Sequence, residues 1–373
     1  MNLAINLIGT SNESGSKTYC TNFFNNLKRS AQLKNYKKII IFISRSYLKK
    51  TKINKYQGNI KVVTVNKIFS KGLFKIIYDQ VIFPFLTFLY KSQIIFCPMN
   101  YCPLIFFLFK KKIILGIHSN LPWYYPELSP GHFIKKSLIK FLMTKSLHVA
   151  NKIIFCSKNS KNELKKKINI SNKKIHYVYL GCDHIKRSKT LGKNKKNILI
   201  NSSITRYHNI ILILKALVLL KKKKIKVPKI FFLTQILDKD YHLEIINFIE
   251  VQKIKKDIIF LDNIPNNLTT SFYEKSLFSI NSSIMESFGF PSLESMKRNC
   301  PVILSEYKTY REINKNAAIY FKQGNLKQLS NCIKLLLNSK RKRDLLIKKG
   351  QQVSNQYTWK KTIDETLKII SKV

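Results

Sequence analysis

The feature that most constrains this chain is a strand–helix alternation that runs once, stops at a polar stretch, and starts again. Short apolar runs at Leu3–Ile8, Ile39–Ile43, Val62–Val65, Ile94–Cys97, Ile113–Ile117 and Ile153–Cys156 read as buried strands. Segments of helical period lie between most of them, for example Tyr19–Ser30, Phe133–Ala150 and Lys158–Lys167. Such alternation predicts a parallel, doubly wound sheet with helices on both faces. A last strand, Ile175–Tyr179, ends at Gly181-Cys182-Asp183, and the lysine-rich stretch His184–Asn197 reads as a linker. The pattern then restarts, with strands at Ile198–Ile200, Ile230–Leu233, Ile258–Leu261, Leu277–Ile280, Val302–Leu304 and Ala318–Phe321. The expected organisation is an α/β first domain over 1–183, a linker over 184–197, a second α/β domain over 198–355 and a closing helical segment over 356–373. At 373 residues the chain is long enough for two such cores.

Other classes are disfavoured. No GxG occurs, which leaves out the dinucleotide fingerprint and the P-loop. The seven cysteines include no CxxC and read as reduced, packed thiols. No histidine has zinc-type spacing, so no metal site is expected, and no cofactor. Asp238-Lys239-Asp240 has the form of a metal-binding DxD but sits where a helix N-cap belongs, and capping is the expectation. The net charge is +49. Lysine, asparagine, isoleucine, phenylalanine and tyrosine abound together, as AT-rich coding would give, so most lysines read as solvated faces. The surplus still draws such a chain toward anionic surfaces. The interleaved basic and aromatic motif of a nucleic-acid binder is missing, and no nucleic-acid partner is expected. The prolines and lysines of Val81–Ile117 interrupt its apolar run, and the N-terminus lacks a basic leader, so a cytoplasmic protein that touches a membrane without crossing it is expected.

The informative block is Ser282–Met296. A strand ends there, Gly289 permits an unusual turn, and Pro291 suits the first turn of a helix. Unpaired N–H groups at a helix start, aimed at the carboxyl ends of parallel strands, suit a diphosphate. Glu286 and Glu294 flank that position, and a carboxylate accepts two hydrogen bonds from a vicinal diol. Two diol readers beside a phosphate site describe a nucleotide-sugar clamp.

This block resembles the E-x7-E signature of retaining glycosyltransferases of family 4, the glycosyltransferase group 1 family. Weaker similarities follow in the family's order: Gly9 with Ser14-Gly15-Ser16, Asp79-Gln80 and Pro84, Pro98-Met99-Asn100, Ile117-His118, Pro126-Glu127, Ser157–Ser160, Gly181-Cys182-Asp183 and Tyr357-Thr358-Trp359. The resemblance implies a GT-B fold, with two facing Rossmann-like domains and a C-terminal helix crossing back to the first. It implies that Glu286 contacts the donor sugar and Glu294 the ribose, with His118 and Glu286 as catalytic residues. The implied donor-binding set is Glu286, Phe288, Gly289, Phe290, Leu293 and Glu294, with Gly15, Arg206 and His208. Where the family places an Arg and a Lys for the diphosphate, this chain has Ser203 and His208. Arg206 from a shifted position, or a protonated His208, is expected to supply the charge. Asn299 replaces a customary glycine and is expected in a left-handed turn. The implied partners are a nucleotide-sugar donor, a glycan or lipid-linked acceptor, and an anionic membrane met by the lysine-bearing helix Phe133–Ala150. The alternative is a catalytically weak scaffold of the same fold in a glycan assembly complex.

Overall fold

A computed structural model describes residues 1–9, 15–45, 56–70, 72–109, 111–129, 132–186, 188, 195–262, 264 and 266–373. Part of the expected glycine loop (Ser14) and half of the expected linker lie outside the described residues. The chain divides into two compact units. Unit 1 is Met1–Tyr124, His132–Gly181 and Thr358–Val373; unit 2 is Tyr125–Gly131 and Cys182–Tyr357.

Unit 1 holds β1 (Asn2–Asn6), β2 (Lys38–Ser44), β3 (Tyr56–Gln57), β4 (Ile60–Val65), β5 (Ile94–Cys97), β6 (Lys112–Ile117), β7 (Lys152–Phe155) and β8 (Ile175–Tyr177). Their order in the sheet is β3-β4-β2-β1-β5-β6-β7-β8, parallel except for the short β3. Leu3, Ile5, Ile40, Ile95, Ile114 and Leu115 are buried, as expected of strands covered on both faces. Strand order reverses between β1 and β5, which directs their carboxyl ends to one crevice.

The last helix, Trp359–Ser371, completes this unit. Thr358 caps it by accepting from the Lys361 N–H at 3.3 Å. Trp359 is fully buried with its ring edge-on to Tyr19 at 5.7 Å, and Tyr36 Oη donates to the Leu367 carbonyl at 2.9 Å. Gly181 passes so close to this helix start that a Cβ there would stand 2.2 Å from the Trp359 nitrogen.

A continuous helix, Gly72–Leu89, was not foreseen, because Pro84 reads as a breaker. A π-turn over Tyr78–Ile82 resolves the conflict. Phe83 N–H reaches back five residues to the Tyr78 carbonyl, and the widened turn accommodates the ring of Pro84. By length and composition this helix is apolar enough to cross a bilayer. One side of it is built into unit 1, where Tyr78, Asp79, Phe83 and Thr87 are buried.

Unit 2 holds β9 (Asn197–Asn201), β10 (Ile230–Thr234), β11 (Ile258–Asp262), β12 (Ser276–Asn281), β13 (Val302–Ser305) and β14 (Ile319–Phe321). All pair in parallel in the order β11-β10-β9-β12-β13-β14, the strand order of a dinucleotide-binding sheet. Its switch point lies between β9 and β12. Helix Ile210–Lys222 supplies much of the core, burying Ile210, Ile213, Leu214, Ala216 and Leu217. Asp238 caps helix Lys239–Val251, accepting from the Tyr241 N–H at 2.9 Å, as its position in the sequence suggests. Asn299 takes the left-handed conformation at φ 55°. The Lys340–Arg343 run opens helix Lys340–Ser354, where its charge opposes the helix dipole. Arg343 compensates by donating to the last carbonyls of the preceding helix, Leu336 and Leu337.

Candidate active site

The site grows from the carboxyl ends of β9 and β12. Two loops, 202–209 and 282–289, continue these strands and are pinned together. Ser282 Oγ donates to the His208 carbonyl at 2.7 Å, and the Ile284 N–H donates to the Tyr207 carbonyl at 2.9 Å. The second loop turns into helix Phe290–Lys297 at Gly289, whose φ of 84° lies in the left-handed region. A Cβ on Gly289 would also stand 2.8 Å from a ring carbon of Tyr310, so two independent constraints require glycine there. Pro291 occupies the first turn, and no side chain caps the helix start. The site therefore contains an uncapped helix N-terminus at a topological switch point.

Glu286 is held on the loop by Ser283 Oγ at 3.2 Å and Tyr310 Oη at 3.4 Å, both donating to its Oε1. Burial pushes its carboxyl up to about 7 against those two hydrogen bonds. Its proton is thus bound in the folded state over a range where the unfolded chain releases it. Stability should fall as pH rises from about 4.5 to about 7, by up to ~3 kcal/mol, then level off. In Glu286→Gln that slope should be missing; melting curves of the ligand-free protein at pH 5 and 7.5 measure it, and an unchanged slope places it elsewhere.

Glu294 anchors a second network. Asn201, the last residue of β9, donates through Nδ2 to Glu294 Oε2 at 3.3 Å and to Tyr273 Oη at 2.8 Å. Tyr273 Oη donates to the same carboxylate oxygen at 3.4 Å. Arg298, one helical turn on, sets Nη1 3.5 Å from Oε2. Its guanidinium lies over the Tyr273 ring, and Nε donates to Thr270 Oγ1 at 3.2 Å. Burial raises the Glu294 carboxyl, and the Arg298 charge opposes that rise. Sequence reasoning missed Asn201, Tyr273, Tyr310 and Arg298. Only Arg298 left a trace, its four-residue spacing from Glu294.

The remaining predicted residues are placed as follows. Phe288 and Leu293 are buried packing side chains, so what they offer a ligand is backbone; Phe288 meets Phe290 edge-on at 5.2 Å. The two expected sources of positive charge are engaged within the protein. Arg206 is not a free cation: Glu244 binds it through both carboxylate oxygens, Asp238 stands at 3.7 Å, and it lies over the Tyr241 ring. His208 is a neutral imidazole, pushed down to about 3 by burial, with Nδ1 3.2 Å from the Ser203 carbonyl oxygen. In unit 1, Gly15 opens helix Gly15–Leu27 and is exposed, with open space where a Cβ would stand. His118 follows β6; its N–H donates to Asn100 Oδ1 at 2.7 Å and its ring meets Tyr19 at 4.5 Å. Burial pushes it down to about 4, leaving a neutral imidazole that lines a small cavity with Tyr19, Phe96 and Cys156.

Among known proteins, residues 183–353 match the family Glycosyl transferases group 1. The chain is 25% identical over 220 residues to the O-antigen chain mannosyltransferase RfbU of Salmonella typhimurium, a match spanning 59% of each protein. Its fold is similar to Anabaena Alr3699/HepE, solved in complex with UDP and glucose, at a TM-score of 0.73 and 14% identity, covering 100% of this chain and 99% of that one. It is also similar to a glycosyltransferase from Rickettsia africae (TM-score 0.69, 16% identity, coverage 100% and 98%). The matched stretch carries the Glu286–Glu294 block, and the fold of the chain is GT-B.

Proposed function

We propose that this protein is a retaining glycosyltransferase that moves a sugar from a nucleotide-sugar donor to a glycan or lipid-linked acceptor in cell-envelope polysaccharide synthesis. The observation that carries this reading is the placement of two partly buried carboxylates on either side of an uncapped helix start. Glu294, beside the Arg298 guanidinium, accepts from the ribose diol. Backbone N–H groups of the Gly289 turn and helix start receive the diphosphate. Glu286 accepts from, or when protonated donates to, a hydroxyl of the donor sugar. Neutral His118 offers a hydrogen bond to a sugar hydroxyl. The acceptor oxygen attacks the anomeric carbon on the face the diphosphate leaves, the carbon–oxygen bond to phosphate breaks, and the acceptor's proton passes to the departing phosphate oxygen. No protein base is needed on this route. The RfbU likeness and the basic charge support an acceptor at the inner face of the cytoplasmic membrane.

Neutral His208 and the carboxylate-bound Arg206 favour a second reading, a catalytically weak scaffold that retains nucleotide binding. One experiment separates the two. The protein is incubated in excess chelator with a panel of nucleotide sugars, and both melting temperature and nucleotide release are followed. A stabilising donor that is also turned over is the expected result. Stabilisation without turnover supports the scaffold, and loss of turnover restored by a divalent cation overturns the metal-free route.

A further inference from the structure

Unit 1 carries a face that its own core leaves uncovered. Along helix Gly72–Leu89, Leu73, Ile77, Val81, Phe85 and Leu89 recur every four residues and all are exposed, Val81 at 63% and Phe85 at 67%. They form an apolar stripe roughly 24 Å long at helical rise. The 3-10 turn Leu104–Leu108 extends the stripe with Phe107 and Leu108, at 77% and 75% exposure. Phe88 packs edge-on against Phe109 at 4.8 Å, joining the two elements. Gln80 reinforces the junction, donating to the Cys102 carbonyl at 3.2 Å and accepting from the Leu104 N–H at 3.0 Å. On the far side, Ser146 of helix Phe133–Val149 accepts from the Cys102 N–H at 2.9 Å. That helix buries Leu142, Met143 and Leu147 in the core but exposes Phe133, Ile134, Leu138 and Phe141.

Large solvent-exposed apolar patches mark interaction surfaces, and the charge around this one selects the partner. Within residues 72–109 and 133–149 the only carboxylate is Asp79, which is buried in an ion pair with Lys75. Lys91, just past the end of helix Gly72–Leu89, and Lys135, Lys140 and Lys145 of helix Phe133–Val149 are exposed. A second copy docked face to face would set lysine against lysine. An apolar layer topped by negative charge satisfies both parts of the surface.

We infer that this face docks unit 1 on an anionic lipid bilayer, with helix Gly72–Leu89 lying in the plane of the headgroup layer as the main apolar anchor. The helix cannot cross the bilayer while Tyr78, Asp79 and Phe83 on its other side remain in the core of unit 1. The inference deepens the membrane part of the proposed function and is independent of the nucleotide site.

The test is sedimentation of the full chain with vesicles of phosphatidylcholine alone or mixed with phosphatidylglycerol. Three proteins are compared: wild type, Val81→Ser/Phe85→Ser/Leu89→Ser, and Lys135→Gln/Lys140→Gln/Lys145→Gln. Wild type should bind the anionic vesicles at least tenfold more tightly than the neutral ones. The serine variant should lose at least tenfold in affinity for anionic vesicles. The glutamine variant should lose most of the anionic preference, and high salt should do the same to wild type. Each variant should keep the wild-type melting temperature and its shift on adding a nucleoside diphosphate, which separates failure here from failure of the nucleotide site. Three results would overturn the inference: vesicle binding unchanged in the serine variant, concentration-dependent dimerisation abolished by the serines without any vesicle binding, or resistance of the bound protein to alkaline extraction, which would mean a spanning helix.

Discussion

Glu294→Gln should weaken nucleoside diphosphate binding about 10- to 150-fold, the effect of removing a charged hydrogen-bond acceptor worth roughly 1.5–3 kcal/mol. Glutamine is the informative replacement because of what surrounds the carboxylate. Arg298 has a side chain only 7% exposed and faces Glu294 at 3.5 Å. Truncating Glu294 to alanine leaves that guanidinium buried beside Tyr273 without a counter-charge, at a cost of about 3 kcal/mol in stability. Glu294→Ala should therefore melt lower than Glu294→Ala/Arg298→Met, in which the orphaned charge is gone too. Glu286→Gln should behave differently, with near wild-type nucleotide affinity and turnover lowered about 100-fold, the usual effect of losing one transition-state contact. Isothermal titration with the nucleoside diphosphate and a turnover assay read the two separately. Wild-type affinity in Glu294→Gln would end the assignment of this carboxylate to the ribose.

Gly181→Ala should cost unit 1 at least ~3 kcal/mol, as overpacking against backbone does. The added methyl would stand 2.2 Å from the Trp359 nitrogen and 2.6 Å from the Thr358 carbonyl carbon. Neither atom is the end of a flexible side chain, so relief requires moving the start of helix Trp359–Ser371. That helix is fixed by the buried Trp359 and by the Tyr36 bond to Leu367. A fall in melting temperature of about 6–12 °C is expected for a unit of this size. Gly15→Ala, with open space around it, serves as the control and should shift melting little. Equal, small shifts for both would show that the Gly181 contact yields easily.

The sequence was most legible where a single segment carries its own signal. The apolar runs read as strands became β1, β2 and β4–β14, because a parallel strand buried on both faces needs little more than an uninterrupted run of Ile, Val, Leu and Phe. The two-residue β3 has no such run and was missed. Asp238 and Asn299 were legible because a cap and a left-handed turn are local affairs. Pro84 misled because its effect depends on the turn before it, and the π-turn has no residue signature of its own. The Glu294 network was illegible for a related reason. Asn201, Tyr273 and Arg298 come from a strand end, helix Asn266–Glu274 and the cap that ends helix Phe290–Lys297, and only the sheet order brings them together. The partners of Arg206 were not legible either, since Asp238 and Glu244 follow it in sequence only after helix Ile210–Lys222 and β10.

The return of helix Trp359–Ser371 to unit 1 has a consequence for how the chain is made. Every strand of the first sheet leaves the ribosome early, yet the tryptophan that fills the space beside Tyr19 arrives after the whole of β9–β14. Unit 2 can close over its own core while unit 1 still waits with an open slot on its surface. A nascent chain is therefore held back at its older half, and a nonsense mutation near codon 357 would spare unit 2 while leaving unit 1 without this helix.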